Sequence, residues 1–153
     1  VYQPNSLKGF GAIMMADMER IDGKAASWTD DRGWGTNPLD VAGVPSESLG
    51  NLHVVSIKPG CVRGNHYHPR GTEWMLVFGG SARVAWKSSE EGSVQETQKD
   101  ESDDPAFFQV PPAIRHAIMN TSKRDIYLVA ISDSHDRGTV SCPSLFGTID
   151  EKR

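Results

Sequence analysis

The stretch RGNHYHPRGTE, residues 63–73, holds two of the five histidines in this 153-residue chain. One residue separates His66 from His68, and Glu73 follows soon after. Successive side chains of a β-strand point to opposite faces, so the two imidazoles would share one face, roughly 6.5 Å apart along the strand, with Tyr67 on the other. Pro69 and Gly71 suit a hairpin turn, after which Glu73 would open the next strand and return beside the imidazoles. Two imidazoles and a carboxylate converging on a point are a ligand set for a divalent transition metal such as Zn, Mn, Fe, Ni or Cu.

Such a centre wants a further donor. Of the remaining histidines, His53, His116 and His135, the best placed is His116, which begins an apolar run after the rigid turn VPPAIR. His53 lies near the start of its own run and could face the same cavity as a supporting group or a substrate contact. A lone histidine on a half-apolar strand is more often a packed or surface residue than a ligand. It is the grouping of four suitable residues that favours the metal.

The elements that must position these residues read as β. Fifteen glycines and nine prolines punctuate short apolar runs, and no segment sustains a helical apolar period for three turns. Strands are expected at 52–58, 64–68, 73–79, 82–87, 106–111, 116–120 and 125–132, and several short strands at close spacing imply a sandwich or barrel. The acidic stretch 88–105 reads as an exposed hairpin or mobile loop. Residues 1–49 read as an irregular segment packing on a barrel at 50–135, with Trp28 and Trp34 lying over it, and residues 136–153 as a C-terminal tail. The apolar run GFGAIMMA (9–16) is far too short to span a bilayer and reads as part of a strand.

Composition narrows the partners. Sixteen basic against twenty acidic residues give a net charge of −4, with neither sign concentrated into a nucleic-acid or membrane-binding face. A small molecule is the expected partner. Two cysteines, Cys61 and Cys142, make no disulfide framework and fit a reduced, cytoplasmic protein, although they could pair.

Gly60, His66, His68, Glu73 and Gly80 match in full the first signature motif of the cupin superfamily. Pro111, His116 and Asn120 match part of the second, in which Pro105 and Ala113 stand where glycines belong. The chain is identified by these motifs as resembling a metal-binding cupin. The resemblance implies an all-β fold, the double-stranded β-helix or jelly-roll barrel, with a divalent metal held inside by His66, His68, Glu73 and His116. A narrower likeness, carried by TDDRGWG (29–35) and RGNHYH (63–68), is to cupins acting on nucleotide-linked sugars: the dTDP-4-dehydrorhamnose epimerase type, the ketoisomerase type and the C-terminal cupin of capsular polysaccharide reductases. In the metal-free epimerases the first histidine of this segment is a general base. The full metal set here argues against copying that role onto His66.

Other residues then take expected roles. Arg63 could pair with a carboxylate or diphosphate at the barrel mouth, although strict alternation gives it the outward parity of Tyr67 unless Gly64 bends the strand. Met75, Val77, Ile118, Val129 and Ile131 are expected to line an apolar interior, with Met75 near the substrate. Trp74, Leu76 and Phe78 make the opposite face apolar too. That face needs cover from the N-terminal segment or from a second subunit, and a homodimer is expected. SDSHDRG (132–138) offers a His–Asp pair but reads as a solvated turn.

The expected function is a metal-dependent isomerase or epimerase acting on a sugar-like or keto-acid substrate. A metal-dependent dioxygenase, or a non-catalytic cupin that binds a small molecule, are the alternatives.

Overall fold

A computed structural model describes residues 16–147. All of the expected stretch 9–16 except Ala16 lies outside the described residues.

The described chain forms β1 (Glu19–Ile21), β2 (Ser27–Asp30), β3 (Gly33–Thr36), α1 (Pro38–Ala42), β4 (Asn51–Ile57), β5 (Val62–Tyr67), β6 (Glu73–Phe78), β7 (Ala82–Lys87), β8 (Gln95–Lys99), β9 (Ala106–Val110), β10 (Arg115–Asn120), β11 (Ile126–Ser132) and β12 (Val140–Ser141). Two five-stranded sheets result, ordered β1-β9-β6-β11-β4 and β12-β5-β10-β7-β8, with β2 and β3 making a separate hairpin. All the pairings are antiparallel. The strands expected from residue 50 onward all form, each within two residues of its expected ends.

The core lies between the sheets. Ile57, Met75, Val77, Phe108, Ile126 and Leu128 from one sheet meet Ala82, Val84 and Ile118 from the other, with Ile114 closing the group from the turn before β10. Burial of such side chains is worth about 1.5–3 kcal/mol each, which makes this apolar layer the main support of the cavity above it.

Two expectations need correction, and one open alternative is resolved. The chain before residue 50 is not wholly irregular, because β1 joins the edge of the first sheet beside β9 and β2 and β3 pair as a hairpin. Within 88–105 the hairpin alternative is the one that forms, since β8 pairs with β7 across a turn and is mostly exposed. Val129 and Ile131 do not line the interior. In register, Leu128 stands opposite Val77, whose side chain is in the core, so Ile126, Leu128 and Ala130 face inward and their neighbours outward. Both faces of β11 are apolar, and alternation alone could not choose between them.

The outward face is covered only in part. Pro38 and Ala42 of α1 share a small cleft with Ile21, Trp74, Leu76, Phe107 and Ile131, and Trp34 sets its ring edge against Phe78 at 5.5 Å. Trp28 stays 60% exposed, and on the edge strand β4 Leu52 and Val54 are 53% and 61% exposed.

Candidate metal centre

His66 and His116 are direct partners across β5 and β10. His68 follows the end of β5, and Glu73 opens β6 in the opposing sheet. One sheet thus brings three imidazoles and the other brings a carboxylate. The ring centroids lie 4.8 Å (His66–His68), 4.9 Å (His66–His116) and 5.8 Å (His68–His116) apart. One ligand atom from each of the three rings falls within 4.8 Å of the others, a group that could hold a metal ion. Glu73 Oε2 reaches to 3.2 Å from His116 Nε2 and 3.7 Å from His68 Nε2.

Strand β5 reaches this geometry through a local irregularity. His116 pairs with His66 but Ala117 pairs with Gly64, so Asn65 is an extra residue, a β-bulge. Gly64 has φ +99°, and a Cβ on it would sit 2.6 Å from the His116 carbonyl oxygen and 2.8 Å from Ala117 Cα. Only glycine fits there. The bulge resets the alternation, and Arg63 joins the cavity lining instead of keeping the parity of Tyr67. Its Nε donates to the Ser56 carbonyl at 3.2 Å.

Backbone carbonyls behind the imidazoles fix their tautomers. His68 Nδ1 lies 2.6 Å from the Gly138 oxygen and His116 Nδ1 lies 3.0 Å from the Ile114 oxygen. A carbonyl accepts only, so each Nδ1 carries a proton and each Nε2 is the atom turned to the cavity. The His68 Nε2 lone pair is left free there, and His116 Nε2 donates to Glu73 whenever it carries a proton. His68 Nε2 is buried with no hydrogen-bond partner. A buried polar atom without a partner costs about 1–3 kcal/mol, a cost that a ligand at this point would remove. The donor chemistry therefore fits a divalent metal.

The electrostatics favour the deprotonated forms a metal needs. Burial, then the neighbouring His116 and His68, depress His66 to about 4 despite the opposing pull of Glu73. Burial is also the main cause of the lowered values of His68 and His53. Burial alone would raise Glu73, but the hydrogen bond from His116 and the charges of His116, His68 and Arg137 outweigh it and bring it down to about 2.

The cavity is about 190 Å³ and is lined by His53, Arg63, Met75 and Arg137 besides the imidazoles and Glu73. The seven residues singled out from the sequence therefore share one pocket. His53 is held by Nδ1 against Asn51 Oδ1 at 3.0 Å. The turn after β11 was expected to be solvated, yet it sends Arg137 inward to pair with Glu73 Oε1 and supplies the Gly138 carbonyl to His68. Nothing in SDSHDRG marks Arg137 in advance, because its partner lies 64 residues away. Cys61 and Cys142 are free thiols. No helix among the described residues is long and apolar enough to cross a membrane.

Two facing antiparallel sheets with this donor set between them define a cupin. Residues 29–138 match the family described as the polysaccharide biosynthesis C-terminal domain, and the chain belongs to that family. Oxalate oxidase 1 of Hordeum vulgare is 30% identical over 129 residues, covering 82% of this chain and 63% of that protein. Among solved structures, a dTDP sugar isomerase from Desulfovibrio desulfuricans G20 superposes with a TM-score of 0.64 at 16% identity, over 87% of this chain and 90% of that one. The capsular polysaccharide assembling protein CapF of Staphylococcus aureus gives 0.57 at 21% identity, over 77% and 34%. The chain thus spans less than two thirds of the oxalate oxidase and about one third of CapF.

Proposed function

We propose that this cupin is a metal-dependent isomerase or epimerase acting on a small carbonyl substrate, with His66, His68, His116 and Glu73 as the ligands. The observation that carries the reading is the buried Nε2 of His68, unpartnered and held in that tautomer by Gly138. A divalent metal bound there would supply Lewis-acid polarisation of a substrate carbonyl oxygen.

The chain's own residues supply the rest. His53 lines the same cavity, and its Nδ1 contact with Asn51 leaves Nε2 to accept a proton. Burial keeps this imidazole below its ordinary 6.5, so at neutral pH it is the free base. It is placed to remove a proton beside the polarised carbonyl and return it at a neighbouring position or on the other face. Met75, Ile118 and Leu128 give the cavity an apolar wall that limits water. Likeness to a dTDP sugar isomerase supports this reaction class.

The test is proton exchange under strict anaerobiosis. The zinc- or manganese-loaded protein should exchange the α-proton of a small ketone or keto acid in D₂O, and His53→Gln should lose exchange while keeping its metal. Likeness to oxalate oxidase favours a second reading, an oxygen-dependent metalloenzyme. Oxygen uptake by the metal-loaded protein, with no anaerobic exchange, would select that reading and exclude the first.

We further propose a homodimer through the outward face of β4, where Leu52, Val54 and the neighbouring Tyr127 of β11 leave apolar surface exposed. Light scattering at micromolar concentration should give about twice 16.7 kDa, and a clean monomer of 16.7 kDa would remove this proposal.

A further inference from the structure

Arg137 stands out among the cavity residues. Its guanidinium carries five N–H donors, and among the described residues Glu73 is its one side-chain partner, engaged through a single nitrogen, Nη1. The Arg137 side chain is 19% exposed and lines the cavity, and among the described residues no other side chain takes its remaining N–H groups. Two guanidiniums, Arg63 and Arg137, stand against one carboxylate, Glu73, and a divalent ion would add to the positive excess. Such a cavity selects an anion. A planar fork with free donors beside a confined space suits a carboxylate, which it can grip through two parallel hydrogen bonds.

Size limits the anion further. Pockets for drug-sized ligands run to about 300–1,000 Å³, and this one is about 190 Å³. A compact acid fits within it, whereas a whole nucleotide-linked sugar would have to extend beyond it.

We infer that Arg137 is the anion-binding residue of this centre and that the ligand it receives is a small 2-oxo acid, whose carboxylate meets the guanidinium while its carbonyl turns toward the imidazoles. The inference deepens the proposed function and rests on it for the carbonyl end. Arg137 itself is assigned by the cavity and its free donors.

The experiment compares pyruvate with its neutral ester, methyl pyruvate, by calorimetry on the zinc-loaded full chain, with zinc content measured on every sample. The wild type should bind pyruvate at least about tenfold more tightly than the ester, the difference expected of a charge-assisted hydrogen bond. Arg137→Gln should lose that preference while keeping its zinc, and Arg137→Lys, which restores the charge without the fork, should recover part of it. A preference unchanged in Arg137→Gln overturns the inference, as does a wild type that holds zinc and binds neither compound. Circular dichroism separates a misfolded Gln variant from a folded one, and the Lys variant then decides. If the wild type takes up no zinc, the metal reading fails by itself. The same comparison in that protein still judges Arg137, because the preference for acid over ester requires only the guanidinium.

Discussion

The carbonyl of Gly138 receives the Nδ1 proton of His68 at 2.6 Å, and the residue before that glycine sends its guanidinium to Glu73. One short turn therefore orients two of the four proposed ligands, from opposite sheets. Gly138 has φ +65°, a left-handed conformation that costs an L-residue about 1–2 kcal/mol. Gly138→Ala should shift the turn and its carbonyl. Loss of such a supporting contact typically weakens metal binding about tenfold to a hundredfold. A zinc competition titration, with melting temperature as control, measures this. An unchanged zinc affinity would show that the turn does not orient His68.

Acidification should destabilise the protein in two successive windows after metal removal with a chelator. In the folded state His66 is depressed to about 4 from 6.5, so between those values the unfolded chain binds a proton that the folded chain refuses. Stability therefore rises with pH across that interval. His68 and His53, lowered in the same direction, add to the slope. Glu73, held at about 2 against an ordinary 4.5, continues the loss below pH 4.5, and its contribution is gone once pH falls through 2. Melting temperatures of the chelated protein from pH 7.5 to 3.5 should fall steadily, and His66→Gln should flatten the upper window. A profile indifferent to pH between 6.5 and 4 would contradict the burial argument.

The HxH spacing was legible because alternation in a strand is a short-range rule, and PRGT supplies turn chemistry that returns the chain at Glu73. The central strands were legible for the same reason, since their apolar runs end at glycine and proline. Other features depended on information that lies outside any local window. The bulge at Asn65 brings Arg63 into the lining, but it is set by how β5 meets β10. The facing of β11 was lost because Leu128 and Val129 are equally apolar. The short strands β1 and β12, three and two residues long, carry too few side chains to show a period. Arg137 was hidden for the plainest reason, an ion pair formed between a turn and a strand far apart in the chain.

Ala113 occupies a position where the second cupin motif has glycine, and its backbone explains the preference. It has φ +67°, and its amide donates to the His68 carbonyl at 2.7 Å, so the turn before β10 is tied to the end of β5. The left-handed conformation costs alanine about 1–2 kcal/mol, and glycine would give back part of that through its extra freedom in the unfolded chain, about 0.5–1 kcal/mol. Ala113→Gly should therefore stabilise the protein by about 0.5–1 kcal/mol, or roughly 1–4 °C in melting temperature for a chain of this size. Thermal unfolding of the metal-free protein measures it, and a lower melting temperature would show that the strain has already relaxed.

At the far end of the barrel Lys99 is fully buried, and its ammonium donates to the carbonyls of Gly80 and Asp100 and to Asp104 Oδ1. Asp104 also accepts from the Gly79 amide. The pair ties the β6–β7 turn to the loop that enters β9, and so braces the two strands nearest Glu73. An ion pair of this kind owes its value to completeness. Breaking it from one side strands the other charge, at a typical cost of about 3–5 kcal/mol for fully buried pairs, whereas replacing both partners is far milder. Asp104 keeps some solvent contact, with its side chain 20% exposed, so Lys99→Met should cost less than that range, about 2–3 kcal/mol. Lys99→Met with Asp104→Asn should recover more than half of the loss. Urea unfolding of the wild type, Lys99→Met, Asp104→Asn and the double variant closes the cycle, and additive losses would show that the two side chains act independently.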